Sequence, residues 1–309
     1  MNTMTAFFKL IRWPNLLFIA LTQALFRFFI LPFAYGYRAL SSNDVKLSLP
    51  LFFLLMAASL CIAAAGYIIN DYFDLNIDQV NKPKRLIIDK FIKRRWAIVL
   101  HVVLSSVGFL LSIYVGYKIW NFYIPFFNLV AILALWLYST TFKKKLLIGN
   151  ILISLLSAWV ILVLTFAEYR FEIDPLNGQW RRLLKVSFIY AGFAFVISIV
   201  REVIKDMEDM RGDYKYGCRT MPIVWGLQVS KVFSGVWIVV LAGCVGIIIV
   251  YVLQLGWWIS AIYSFVAIII PLFWVLRKLY DAKSQAEFHR LSTAVKVIML
   301  TGIISMIFF

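Results

Sequence analysis

Carboxylate and amide side chains recur at helical spacing in a short segment of this chain. Asn70, Asp74 and Asp78 lie four residues apart, so on a helix they would share one face, about one turn from each other. Like charges at this spacing repel each other by about 0.2–0.5 kcal/mol per pair, so a cation is expected to offset them. Carboxylate and amide oxygens are ligands that Mg2+ prefers, and Mg2+ often shares its shell with a phosphate group. The alternative is a solvated N-cap or loop whose acids pair with the lysines that follow, Lys82 and Lys84.

A second acidic segment has the same character. Glu202, Asp206, Asp209 and Asp213 are separated by four, three and four residues, which again places them along one helical stripe. The chain has 15 acidic residues, and more than half of them fall in these two segments: Asp71, Asp74, Asp78, Glu202, Asp206, Glu208, Asp209 and Asp213. In so apolar a chain, this concentration predicts a metal site built from both segments, which would hold Mg2+ against a diphosphate.

Most of the chain is apolar. Hydrophobic residues make up 63% of it and aromatic residues 17%, and the mean hydropathy is +0.87. This composition is that of an integral membrane protein with aromatic residues at the interfaces. The net charge of +16 comes largely from Lys and Arg in short loops, where they set topology and contact anionic headgroups, so no nucleic-acid partner is expected. The three cysteines form no CxxC pair, which favours neither a disulfide framework nor a thiolate metal site.

Nine segments are long and apolar enough to cross a membrane as helices of about 20 residues. They are predicted near residues 16–37, 50–70, 96–117, 119–138, 146–167, 183–204, 231–253, 257–276 and 290–309. The predicted fold class is therefore all-α, a polytopic bundle of nine transmembrane helices in one domain over residues 1–309. The bundle is expected to enclose a central apolar cavity with a polar rim on the cytoplasmic side. His289 precedes the last segment and is expected in an exposed loop.

The distribution of positive charge predicts the orientation of the bundle. Lys and Arg are concentrated in the N-terminal segment and in the loops that would lie on the same side as it. The positive-inside rule therefore places the N-terminus and both acidic segments in the cytoplasm. Lys143, Lys144 and Lys145 follow the fourth segment on this side, and Tyr138 lies about one helical turn before them. These lysines either anchor the topology or bind phosphate.

Four motifs follow one another along the chain: RWPN at 12–15, INDYFDLNIDQVNKPKR at 69–85, the segment 138–150, and REVIKDMEDMRGDYKYGCRTMP at 201–222. Their sequences and order resemble those of the UbiA superfamily of intramembrane prenyltransferases. In that comparison, 12–15 is similar to the element that opens the first helix, 69–85 to the first long signature, 138–150 to the middle element and 201–222 to the second long signature. With the nine spans, the resemblance covers the whole chain.

The resemblance implies a role for individual residues. The implied Mg2+ ligands are Asn70, Asp74, Asp78, Asp209 and Asp213. The implied catalytic residues are Asp74, Asp78, Asp209, Asp213, Glu202 and Lys143. The implied substrate-binding residues are Asn15, Arg85, Tyr138, Lys143, Arg201, Lys205 and Asp206.

The same resemblance implies Mg2+-dependent transfer of an isoprenyl group from its diphosphate to an acceptor. Both long motifs look most like the branch that transfers geranylgeranyl to geranylgeranylglyceryl phosphate. Residues 85–90, RLIIDK, depart from the turn usual in that branch, so an aromatic acceptor of the 4-hydroxybenzoate, dihydroxynaphthoate or homogentisate type stays an alternative. The expected partners are the isoprenyl diphosphate donor, a lipid or aromatic acceptor and membrane lipids, without an obligate protein partner.

A cation-coupled secondary transporter is the alternative from another class of protein. Transporters place ionisable groups near the middle of the bilayer, often on broken helices. The acidic residues of this chain lie instead at the ends of predicted helices and on one side of the membrane. Their position favours the enzyme.

Overall fold

The computed structural model describes residues 3–36, 45–81, 83, 86–169 and 178–309, and most of them are helical. The α-helices, numbered α1 to α14, are Thr3–Leu10, Trp13–Leu25, Leu31–Tyr35, Leu49–Phe73, Leu75–Asn81, Arg94–Lys118, Tyr123–Thr140, Ile148–Ala167, Gly178–Lys215, Met221–Val224, Leu227–Gln254, Trp258–Ser264, Ile270–Asp281 and Gln285–Ile304. Short π-helical segments, Phe26–Ile30 and Phe265–Ile269, join α2 to α3 and α12 to α13. In the described ranges, β structure is limited to one isolated bridge between Ile88 and Ile92.

Nine helical stretches of the described chain are long and apolar enough to cross a membrane, as predicted. They are Trp13–Tyr35, Leu49–Phe73, Arg94–Lys118, Tyr123–Thr140, Ile148–Ala167, Gly178–Lys215, Leu227–Gln254, Trp258–Asp281 and Gln285–Phe308. The chain is therefore an all-α, multi-pass membrane protein. The sixth stretch has 38 residues, far more than a bilayer needs, so the helix that carries the second acidic segment runs beyond the apolar part of its sequence.

The chain divides into two compact units, which are described separately. The first comprises residues 1–143 and 159–187, and the second comprises residues 144–158 and 188–309. The prediction that the whole chain acts as one domain stays a prediction, as do the central cavity and its polar rim.

The first unit is organised around α4, which packs against α6 and α7. Small residues allow these helices to approach closely, as is common in membranes, where packing rather than the hydrophobic effect drives association. A Cβ atom on Gly108 of α6 would lie 2.8 Å from Ile62 and 3.0 Å from the carbonyl oxygen of Ala58, both on α4. On Gly66 of α4 it would lie 2.9 Å from Leu135 of α7. The position of α4 matters for function because its last residues begin the first acidic segment.

The second unit has a core formed by the C-terminal part of α9 together with α11, α13 and α14. Buried members of this core include Val200 and Ile204 of α9, which lie beside the second acidic segment. Close contact between α9 and α14 requires Gly302, where a Cβ atom would approach the ring of Phe193 to 2.5 Å. This packing holds the acidic part of α9 against the final helix.

A capping box starts α14. The hydroxyl of Ser284 accepts a hydrogen bond from the backbone N–H of Glu287 at 3.3 Å, and the Glu287 carboxylate accepts one from the backbone N–H of Ser284 at 2.8 Å. The helix therefore begins before His289, and the prediction of a loop at this residue is wrong.

Candidate functional site

The first acidic segment spans the junction of two helices. The helix α4 ends at Phe73, Asp74 is its C-cap residue, and α5 starts at Leu75. The backbone nevertheless keeps the predicted spacing, because the N–H of Asp74 donates to the carbonyl oxygen of Asn70 at 2.9 Å and that of Asp78 donates to Asp74 at 2.8 Å. These residues therefore occupy successive turns, although the helix is interrupted between them.

The carboxylate of Asp74 is held by two other residues of the candidate set. The side-chain amide of Asn70 donates to its Oδ2 at 2.8 Å, and Lys143 Nζ donates to its Oδ1 at 2.6 Å. The side chains of Lys143 and Asp74 are only 9% and 18% exposed, so this ion pair is largely withdrawn from solvent. Among the three successive lysines, the structure thus gives Lys143 a partner in the acidic segment.

The amide oxygen of Asn70 is a buried acceptor. Its Oδ1 atom has no hydrogen-bond partner among the described residues, and an unpaired buried polar atom is unfavourable by about 1–3 kcal/mol. The same side chain bonds to the Asp74 carboxylate through its other end. A buried amide oxygen beside a carboxylate fits a hard divalent cation, which would take oxygen ligands from both residues.

The next residue of the motif, Asp71, has a different partner. Arg12, between α1 and α2, donates from Nη2 to Asp71 Oδ1 at 2.5 Å, and the guanidinium lies 5.2 Å from the centre of the Tyr67 ring. The charge of Asp71 raises the pKa of the Arg12 guanidinium above its ordinary value, so Arg12 stays charged. Asp71 and Asp74 therefore have separate cationic partners.

The second acidic segment lies on the uninterrupted helix α9, as its spacing predicts. Glu202 is buried, and its two oxygens accept hydrogen bonds from Arg201 at 2.9 Å and from Lys205 at 3.0 Å. The structure therefore joins three residues of the predicted set to each other. The implied catalytic role of Glu202 and the implied substrate-binding roles of Arg201 and Lys205 stay predictions.

Two further acids of α9 have partners on neighbouring helices. The amide of Asn150 in α8 donates to Asp206 Oδ2 at 2.8 Å, and Nδ1 of His289 in α14 lies 3.0 Å from Glu208 Oε1. Glu208 is buried, so it is withdrawn from solvent within the unit. These contacts hold the acidic part of α9 from two sides.

The remaining predicted residues are found where their motifs place them. Asp209 and Asp213 are half-buried on the last turns of α9, and Asp78 is half-buried on α5. Asn15 and Tyr138 are half-buried at the start of α2 and near the end of α7. Arg85 lies outside the described residues, so its predicted role stays a prediction.

No three His, Cys, Asp or Glu side chains in the described part of the chain come together in a way that could hold a metal ion. An ion at Asn70 and Asp74 would therefore complete its shell with water or phosphate oxygens, as Mg2+ commonly does. The acidic segments belong to separate compact units, and the prediction that they share one ligand stays a prediction.

Five residues of these networks were absent from the predicted ligand, catalytic and substrate-binding sets: Arg12, Asp71, Asn150, Glu208 and His289. Arg12 and Asn150 lie inside recognised motifs, but nothing in the sequence pairs them with Asp71 or Asp206. For His289, the sequence does contain a local indication of a helix. Ser284 and Glu287 have the spacing of a capping box, which places the start of a helix before His289.

The comparisons with known proteins agree with the fold and the motifs. Digeranylgeranylglyceryl phosphate synthase of Sulfurisphaera tokodaii is 34% identical over 182 residues, which are 58% of this chain and 59% of the relative. The chain spans less than two thirds of the length of the first curated relatives that it matches.

Two solved structures share the architecture. One, described as giving insight into the biosynthesis of digeranylgeranylglyceryl phosphate synthase in membranes, has a TM-score of 0.63 at 23% identity and covers 99% of both chains. A UbiA homologue from Archaeoglobus fulgidus bound to DMAPP and Mg2+ has a TM-score of 0.56 at 13% identity, and the match covers 97% of this chain and 98% of that one. At these identities the likeness shows the fold alone. A sequence model described as the UbiA prenyltransferase family matches residues 29–298, and the chain therefore belongs to this family.

Proposed function

We propose that this protein transfers an isoprenyl group from an isoprenyl diphosphate to a glycerol-lipid acceptor in a Mg2+-dependent reaction that releases diphosphate. The observation that carries the proposal is the group formed by Asn70, Asp74 and Lys143. It combines a buried amide oxygen that has no partner among the described residues, a carboxylate, and a lysine ammonium at 2.6 Å from that carboxylate. Oxygen ligands for a cation and a donor for phosphate, from two motifs that are distant in the sequence, thus lie together in a chain of a prenyltransferase family.

In this proposal, Asn70 and Asp74 hold the cation through their side-chain oxygens. Lys143 binds a diphosphate oxygen, for which a compact ammonium with three donors is suited. Bound Mg2+ would neutralise the charge that develops on the departing diphosphate. Asp78, Asp209 and Asp213 stay proposed ligands on the strength of their motifs.

The apolar environment of these helices has its own part in the reaction. Loss of diphosphate from an allylic carbon leaves a carbocation, which water would destroy. Residues that exclude water from the reacting carbon therefore leave the acceptor as the group that reacts with the carbocation.

The acceptor that we propose is geranylgeranylglyceryl phosphate or a similar glycerol lipid. The support is the name that the curated relatives carry, digeranylgeranylglyceryl phosphate synthase, together with the form of both long motifs. The Archaeoglobus fulgidus homologue, which was solved with DMAPP and Mg2+, supports the donor and the metal.

We also propose that the N-terminus and both acidic segments face the cytoplasm. The support is the concentration of Lys and Arg on that side of the nine spans. Fusions after α5 and after α7 would test it. A reporter that is active only in the cytoplasm should be active at both positions. Activity of a reporter that works only outside the cytoplasm would contradict the orientation.

The acceptor is tested directly with purified protein in detergent. One preparation receives labelled geranylgeranyl diphosphate and Mg2+, with geranylgeranylglyceryl phosphate, 4-hydroxybenzoate or dihydroxynaphthoate in separate reactions. The proposal expects a doubly prenylated glycerol lipid as the principal product. A prenylated aromatic product, without the glycerol lipid, would keep the enzyme class and overturn the acceptor.

A further inference from the structure

We propose that Arg12 is a positioning residue for the first acidic segment and that Asp71 is its anchor, not a metal ligand. The inference rests on the proposed function, because the segment that Arg12 positions is the one proposed to bind Mg2+. Neither residue belongs to the predicted ligand, catalytic or substrate-binding sets.

The contacts of Arg12 join it to two successive turns of α4. Its guanidinium lies 2.5 Å from Asp71 Oδ1 and 5.2 Å from the ring centre of Tyr67, and these two residues are four positions apart. They therefore share one face of the helix. A planar cation that contacts both a carboxylate and an aromatic ring is held in orientation as well as in position.

The backbone of Arg12 is itself held in place. Its φ of 51° and ψ of 53° are in the left-handed region, which is rare for residues other than glycine and unfavourable by about 1 kcal/mol or more. The two preceding residues, Leu10 and Ile11, are buried in a core with Ala64 and Ile68 of α4. Because packing maintains the unusual conformation, the guanidinium is presented to α4 from a fixed point.

The geometry of a helix explains why this contact affects the candidate ligands. Consecutive residues are about 100° apart around a helix axis, so the face of Tyr67 and Asp71 adjoins the face of Asn70. The helix ends at Phe73, and the last turn of a helix frays readily. A contact at Asp71 fixes the rotation of this last turn, and with it the direction in which Asn70 and Asp74 present their oxygens.

The distribution of partners indicates that Asp71 is the anchor. Asp71 is bonded to Arg12, whereas Asp74 is bonded to Asn70 and Lys143. The side chain of Asp71 is 19% exposed and its pair with Arg12 bridges 59 positions of sequence, so the pair joins the start of α2 to the end of α4. The pair therefore acts on the candidate ligands through the backbone of α4, which carries Asn70 and has Asp74 as its C-cap residue.

The test removes the pair without changing the local charge. The variant Arg12→Met/Asp71→Asn loses one positive and one negative group, and Mn2+ binding to the full-length protein in detergent is measured by EPR, without substrates. The expected result is affinity about 10- to 100-fold weaker than in the wild type, as is usual when an outer contact of a ligand is lost. The control is Arg94→Met/Asp89→Asn, which removes an exposed pair of the same unit, and its Mn2+ affinity should equal that of the wild type.

A second variant, Arg12→Asp/Asp71→Arg, exchanges the two charges and so keeps an ion pair. It provides the test if the first variant does not fold. If Arg12 acts by positioning the segment, the exchanged variant should bind Mn2+ with an affinity within a few-fold of that of the wild type. A complete loss of binding in the exchanged variant would identify Asp71 as a ligand and overturn the inference. Equal Mn2+ affinity of the charge-neutral variant and the wild type would overturn this inference alone. A wild type that binds no Mn2+ would overturn the proposed function and this inference together.

Discussion

Replacing Lys143 by Met is expected to have opposite effects on metal binding and on turnover. The ammonium of Lys143 bonds to Asp74 Oδ1 at 2.6 Å and so occupies an oxygen that a cation would use. A cation that binds there must displace it. Without the lysine, the Asp74 carboxylate has lost its cationic partner, and a metal ion can bind to it without displacing an ammonium.

The burial of the Lys143–Asp74 pair sets the expected size of the effect on metal binding. Removing one partner from a buried ion pair destabilises a protein by about 3–5 kcal/mol. The side chains of Lys143 and Asp74 keep 9% and 18% exposure, so we take a lower value, about 2 kcal/mol, for the loss in stability without metal. A metal ion restores the missing charge, so the same energy appears as tighter binding, roughly 30-fold.

Two measurements on Lys143→Met test this reasoning. EPR titration with Mn2+ in the absence of substrate should show the tighter binding, and Mg2+ should raise the unfolding temperature more than it does for the wild type. Prenyl transfer should nevertheless fall, because the ammonium proposed to bind diphosphate is gone. The control is Lys144→Met, because Lys144 is adjacent and its side chain is exposed. Unchanged or weaker Mn2+ binding by Lys143→Met would refute the reasoning and favour a lysine that only anchors topology.

Three other predictions concern the acidic segments and the packing that positions them. Asp74→Ala and Asp209→Ala should each abolish prenyl transfer while the protein still inserts in membranes, and a wild-type rate in either variant would exclude its role as a ligand. Asn150→Ala removes a hydrogen bond to a carboxylate and should lower the free energy of unfolding by about 1.5–3 kcal/mol, measured by denaturation in detergent; no change would show that this bond does not hold α9. Gly108→Leu should lower that free energy by about 1–3 kcal/mol through overpacking between α4 and α6. Gly243→Leu, where a Cβ atom meets nothing within 4 Å, is the matched control, and equal losses in both variants would contradict the packing explanation.

The spans and the helical spacing of the acidic segments could be predicted because both depend on local sequence. A bilayer requires about 20 apolar residues per helix, and nine helical stretches in the described part of the chain meet that requirement. The spacing of Glu202, Asp206, Asp209 and Asp213 likewise indicated one helix, and all four lie on α9. These features need no knowledge of how the chain folds back on itself.

Several partners of the acids could not be predicted, because they are distant in the sequence. Lys143 and Asp74 are 69 positions apart, and Asn150 and Asp206 are 56 apart. Their pairing depends on how the helices pack, which the spacing of one motif does not contain. The interruption at Asp74 was missed for a related reason: the residues around it have the pattern of a continuing helix, and only the structure shows where α4 ends and α5 begins.

The measurement that tests the proposed function most directly is product formation by the purified wild-type protein. Labelled geranylgeranyl diphosphate and geranylgeranylglyceryl phosphate are supplied with Mg2+, and the same reaction is run with a chelator. We predict that a doubly prenylated glycerol lipid and free diphosphate form in equal amounts with Mg2+, and that neither forms with the chelator. An active preparation that gives the same yield with and without the chelator would contradict the metal dependence, and a folded protein that releases no diphosphate with any acceptor would contradict the assignment as a prenyltransferase.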